Sequence, residues 1–153
     1  MRISNVATTR STTPRHLGGR TAVADGAVEI LLRLIAVAGL ATDVWVHAAL
    51  ASDYSHVGDT LSQGRLFVAE AVIAGAVGLW LLVTGSRLAW LAAFIVGAGG
   101  VALVVLYRYV DVGALGPIPN MYDPIWFFRK TLSAYAEGAT AVAAVIRLAL
   151  IRR

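Results

Sequence analysis

Residues 66–107 read LFVAEAVIAGAVGLWLLVTGSRLAWLAAFIVGAGGVALVVLY: two apolar runs broken only by Gly85, Ser86 and Arg87. Each run is close to the ~20 residues that an α-helix needs to cross a ~30 Å hydrocarbon core. A glycine that ends one run, followed at once by another run, marks a tight turn between antiparallel helices. Moving outward, two more segments have the same length and character, at about 28–50 and 132–151. The expectation is an all-α polytopic membrane protein, an antiparallel bundle of four transmembrane helices at about 28–50, 66–84, 88–107 and 132–151.

Composition agrees. The 153 residues are 58% hydrophobic and 14% charged, where soluble domains carry roughly 25% charged residues. The net charge of +4 does not point to nucleic acid, because the basic residues sit at segment ends rather than on one polar face. No cysteine is present. That excludes thiolate catalysis, a membrane thiol oxidoreductase and Cys-ligated zinc or iron–sulfur centres.

The basic residues also orient the chain. With the amino terminus in the cytoplasm, Arg2, Arg10, Arg15, Arg20, Arg33, Arg87, Arg147, Arg152 and Arg153 fall inside. Arg65, Arg108, Arg129 and Lys130 fall outside, beside Asp53, Asp59, Asp111 and Asp123. This asymmetry places both termini in the cytoplasm of a bacterial-type inner membrane. Residues 1–26 are rich in Thr, Ser, Arg and Gly without apolar periodicity and read as a disordered cytoplasmic tail. A cleaved signal peptide fits less well, because the first apolar run is too long for a signal core and contains Asp43 and His47.

The second outer loop contains Gly116, Pro117 and Pro119, which bar a regular helix. Asp123 followed by Pro124 looks like an N-cap and a first helical residue, so a helix is expected to start there and run into the fourth segment. Trp126, Phe127, Phe128, Arg129 and Lys130 would then anchor it at the membrane interface, where aromatic and basic residues are usual. A substrate-binding outer lid is the competing reading of this stretch. Small residues four apart, such as Ala71 and Gly75, Ala74 and Gly78, Ala93 and Gly97, and Ala136, Thr140 and Ala144, suit close packing of membrane helices. The same spacing fits a homo-oligomer or another membrane-protein partner.

Asp43, His47, Glu70 and Glu137 are the candidate site residues. Charges inside membrane spans are costly and mark functional or paired positions. Asp43 and His47 are four residues apart and share a helix face. At ~1.5 Å per residue, all four lie within ~10 Å of the outer ends of their segments, in one layer drawn from three helices. Arg65 and Arg108 are at similar depth and are the expected counter-charges.

Three readings of this layer stand open. It can be a structural ion-pair network. It can be a metal site of one histidine with two or three carboxylates, a set that suits iron, manganese or zinc. Or it can be part of a proton or small-solute path. Haem is disfavoured because a second membrane histidine is missing: His56 falls in a loop. No nucleophile–base pair or cofactor motif is legible, so the leading functional expectation is a non-catalytic accessory or structural component of a membrane complex, with no catalytic residue and no cofactor assigned.

Arg33 followed by Gly39, then Glu70–Ala71–Val72–Ile73–Ala74–Gly75, then Gly78–Leu79–Trp80–Leu81–Leu82–Val83–Thr84–Gly85–Ser86–Arg87, resembles the opening helices and turn of DoxX-like proteins. These are small four-helix bacterial membrane proteins, some linked to quinone-associated redox complexes or to oxidation of sulfur compounds. The resemblance implies four helices and a redox-linked subunit that binds a quinone or metal near the outer cluster. Where that family usually has a lysine late in the first helix, this chain has Asp43 and His47.

Overall fold

The computed structural model describes residues 17–58 and 61–151, with side chains from Asp25 onward. The architecture is all-helical: α1 is Leu17–Asp53, α2 Gln63–Thr84, α3 Arg87–Tyr109 and α4 Phe128–Ile151. Among the described residues, α2, α3 and α4 are each long and apolar enough to cross a membrane.

Their side chains are sorted as lipid would sort them. Large aliphatic residues face outward, as with Val72, Val83, Leu88 and Ile95, while much of the buried core is alanine: Ala36, Ala74, Ala89, Ala93, Ala136, Ala143 and Ala144. Small residues inside allow helix backbones to approach, which is how helices associate where surrounding lipid removes the hydrophobic drive.

α1 packs mainly on α2 and α4, and α3 mainly on α4. Glycines mark several of the helix contacts. A Cβ on Gly39 of α1 would collide with Thr140 Oγ1 and lie 2.6 Å from the Ala136 carbonyl oxygen of α4. One on Gly97 of α3 would lie 2.6 Å from the Glu137 carbonyl oxygen and 3.0 Å from the Ala141 nitrogen. One on Gly78 of α2 would meet Leu40 of α1 at an ordinary 3.4 Å.

The α2–α3 turn is as short as its sequence suggests. Gly85 takes the left-handed conformation (φ 54°) that lets it end α2, and the Ser86 hydroxyl accepts a hydrogen bond from the Ala89 N–H to start α3. The Arg33 guanidinium of α1 lies where a Gly85 Cβ would be. Arg33 and Arg147 both donate to Glu29, at 2.5 and 2.6 Å, tying α1 to α4 at this end.

Two boundaries differ from expectation. α1 already includes residues 17–26, which the sequence assigned to a tail; the remainder of that segment, 1–16, lies outside the described residues. The helix expected to begin at Asp123–Pro124 begins instead at Phe128. Asp123 does act as a local cap, accepting from the Ile125 N–H at 3.1 Å. However, its own N–H donates to the Tyr107 carbonyl at 3.0 Å, holding the chain against the end of α3. The intervening residues are used to cross from α3 to α4, and helix starts only after that crossing.

Candidate functional site

The 110–127 loop is tied down rather than free. Leu115 and Ile118 exchange backbone hydrogen bonds around a two-residue turn with Gly116 at φ 59°, a conformation open to glycine at little cost. The Asp111 carboxylate accepts from Gly113 N–H and from Asn120 Nδ2. Gln63, at the start of α2, donates from Nε2 to the Asn120 carbonyl at 2.7 Å. The loop therefore closes over the helix ends at which α2 starts and α3 stops, and beneath it is a cavity of about 450 Å³.

Apolar walls come from Leu50, Phe67, Ile73, Leu103, Ile118 and Met121, with Phe127 beside them. Polar groups enter at defined points: Tyr54, Gln63 and Lys130 near the roof, and His47, Glu70, Ser133 and Glu137 toward the floor. Tyr54 follows α1. Burial, with the Asp123 and Asp53 carboxylates nearby, pushes its phenol above the usual range, so it faces the cavity as a hydroxyl donor at neutral pH.

The floor is the candidate site. Asp43 is 1% exposed and Glu137 is 3% exposed, although both are acids. His47 Nδ1 is 2.9 Å from Asp43 Oδ1, as four-residue helical spacing allows, and 3.1 Å from the Asp43 carbonyl. The ring packs at a tilt on Phe67, centroids 5.5 Å apart. From α4, the Ser133 hydroxyl bridges the two acids, 3.0 Å from Asp43 Oδ1 and 2.8 Å from Glu137 Oε1. The remaining oxygens, Asp43 Oδ2 and Glu137 Oε2, are buried without a hydrogen-bond partner among the described residues. Buried polar atoms are rarely left so, and each one needs a physical reason. Ser133 is bonded to carboxylates rather than to the imidazole, so the trio is not arranged as a nucleophile–base pair.

The structure brings together three of the four candidate acids and histidine: Asp43, His47 and Glu137. Glu70 lines the same cavity outside that three-way set. The expected counter-charges are elsewhere. Among the described residues neither Arg65 nor Arg108 pairs with these acids; Arg108 lies against the rings of Tyr109 and Trp126, at 4.9 and 6.0 Å. The two arginines have the right depth but a different direction around their helices.

The interfacial set also divides. Trp126 and Phe128 are exposed, as an anchor would be. Phe127 and Lys130 instead form cavity wall, with the Lys130 ammonium donating to the Asp123 carbonyl at 2.5 Å and lying 3.4 Å from its carboxylate. Arg129 reaches Asp53 at 3.1 Å.

Ser133 is a site residue that was not among the candidates, whereas Thr140, expected as a packing residue, lies between α1 and α4 outside the site. Thr140 is fully buried and donates back to the Ala136 carbonyl at 2.9 Å, with the Ala36 carbonyl of α1 at 3.3 Å. Ser133 and Glu137 are four residues apart on one helix face, a spacing that would have found Ser133. Comparison with protein-family models, with curated proteins and with solved structures returned no match for this chain.

Proposed function

We propose that this is a multi-pass inner-membrane protein whose four helices all cross the bilayer as an antiparallel bundle, with both termini cytoplasmic. Within it, the cavity under the 110–127 loop holds a small amphipathic molecule, and the protein serves as a non-catalytic binding component of a larger membrane complex. A quinone headgroup is the favoured ligand class, consistent with the DoxX-like resemblance. The observation that carries this reading is the cavity itself: about 450 Å³, with apolar and aromatic walls and a few convergent polar groups. Small-molecule sites typically occupy ~300–1,000 Å³ with that division of labour. A purely structural ion-pair network explains neither the empty volume nor two carboxylate oxygens without partners.

Protein purified in mild detergent is expected to bind a short-chain ubiquinone analogue, measured by calorimetric titration. Val104→Trp, which fills the cavity from α3, should weaken that binding at least tenfold. Absence of binding by the native protein, together with no organic molecule in a solvent extract, would reject the reading.

Orientation has its own test. The native chain has no cysteine, so a single introduced thiol reports unambiguously. Ser62 and Ser86 cap helices, which makes the exposed His56 and Arg87 better positions. His56→Cys should react with a membrane-impermeant maleimide on intact cells, and Arg87→Cys only after lysis. The reverse pattern would invert the topology.

A further inference from the structure

We infer that Asp43, His47 and Glu137 bind one divalent transition-metal ion, of the manganese, iron or zinc class, at the floor of the cavity. One ligand atom from each side chain lies within 4.8 Å of the other two. A tetrahedral ion with bonds of ~2.0–2.2 Å holds its ligands about 3.4 Å apart, so binding would draw the three side chains together by up to about 1.4 Å. An imidazole nitrogen beside two carboxylates selects these metals over calcium or magnesium, which prefer all-oxygen sets.

Two further observations separate this from a mere group of acids. The first is the pair of orphaned oxygens: Asp43 Oδ2 and Glu137 Oε2 are buried, unpartnered, and on side chains almost wholly removed from solvent. The second is a shortage of positive charge. Ser133 has one O–H to share between two carboxylates, and His47 supplies one N–H. Among the described residues, no arginine or lysine pairs with either acid: Arg33 and Arg147 serve Glu29, Arg129 serves Asp53, and Lys130 serves Asp123. A divalent cation supplies both the missing charge and the missing partners.

The surroundings suit a held ligand set. Gly100 of α3 leaves room for the Glu137 carboxyl, since a Cβ there would lie 2.5 Å from Glu137 Cδ. Ser133 fixes the orientation of both carboxylates, the usual task of groups behind a metal's ligands. His47 and Glu137 also face the cavity, so open coordination positions would point toward it. The inference does not depend on what organic molecule the cavity takes.

The test uses the full chain in detergent, stripped with EDTA and then dialysed against zinc, manganese or cobalt. One ion per chain is expected by elemental analysis after gel filtration, with a d–d absorption band when the ion is cobalt. Glu137→Gln and Asp43→Asn should each weaken binding about a hundredfold, in line with loss of a ligand and its charge. Gly100→Ala, which changes no ligand, should weaken it by displacing the Glu137 carboxyl. Glu70→Gln should keep the ion, and so should Val104→Trp, so loss of quinone binding and loss of metal are read separately. Circular dichroism confirms that each variant is helical. Failure of the native chain to retain any of the three metals would overturn the inference. So would retention undiminished in both Glu137→Gln and Asp43→Asn, which would mark the ion as adventitious.

Discussion

Gly97→Ala should sharply destabilise the protein, while Gly99→Ala, the same change two residues later on the same helix, should leave it as stable or more so. In a helix interior, alanine is preferred over glycine by ~0.5–1 kcal/mol, and that gain applies equally at both sites. What differs is the space. A methyl on Gly97 would lie 2.6 Å from the Glu137 carbonyl and 3.0 Å from the Ala141 nitrogen, both backbone atoms of α4. Nothing lies within 4 Å of the equivalent position on Gly99. Backbone cannot rotate aside as a side chain can, so α3 and α4 must separate. Overpacking typically costs ~1–3 kcal/mol, and a clash with two backbone atoms belongs at the upper end. The measurement is the melting temperature of each variant in one detergent, with expression level as a second readout. Equal behaviour of the two variants would show that α3 does not approach α4 through Gly97.

The second large effect has the opposite sign from ordinary mutagenesis of a buried residue. Glu137→Gln is expected to raise the melting temperature of metal-free protein, and Glu137→Ala to lower it. One oxygen of the Glu137 carboxyl lies within 4.8 Å of one oxygen of the Asp43 carboxyl. Glutamine keeps the carbonyl that accepts from Ser133 and replaces the other oxygen by an N–H₂ group. That group can donate to the Asp43 carboxylate, whose Oδ2 has no partner. One of two neighbouring acidic groups is removed in the same step. A hydrogen bond to a charged group contributes ~1.5–3 kcal/mol. Alanine supplies no donor, loses the Ser133 contact and leaves a cavity. Adding zinc should stabilise the native protein and, at the same concentration, raise the melting temperature of Glu137→Gln far less. A Glu137→Gln variant that melts below the native chain in EDTA would mean that the two acids are already satisfied as they stand.

Much of this fold was legible because apolar length and helix caps are local properties. The Gly85–Ser86 turn, the ends of α2 and α3, and the layer containing Asp43, His47 and Glu137 all follow from residue spacing and a fixed rise per residue. What was not legible was direction around the helix axis. Arg65 and Arg108 have the depth of the acidic layer but do not pair with it, and no spacing rule relates the azimuth of α3 to that of α1. The Ala93–Gly97 spacing marked Gly97 as a packing position, but how closely α4 approaches it, and that Gly99 faces open space, follow only from the position of α4. The start of α4 was misplaced because the Asp123–Pro124 cap signal is local, whereas the hydrogen bond from Asp123 to Tyr107 that holds the chain extended is not.

The uneven partnering of the helices has a consequence for biogenesis. α2 and α3 are joined by the shortest link in the chain, yet α2 rests chiefly on α1 and α3 chiefly on α4. During synthesis α2 therefore meets its main neighbour already made, whereas α3 emerges before its own exists. Its groove, with the bare backbone of Gly97 and Gly100, stays open until the 110–127 loop and α4 have been translated.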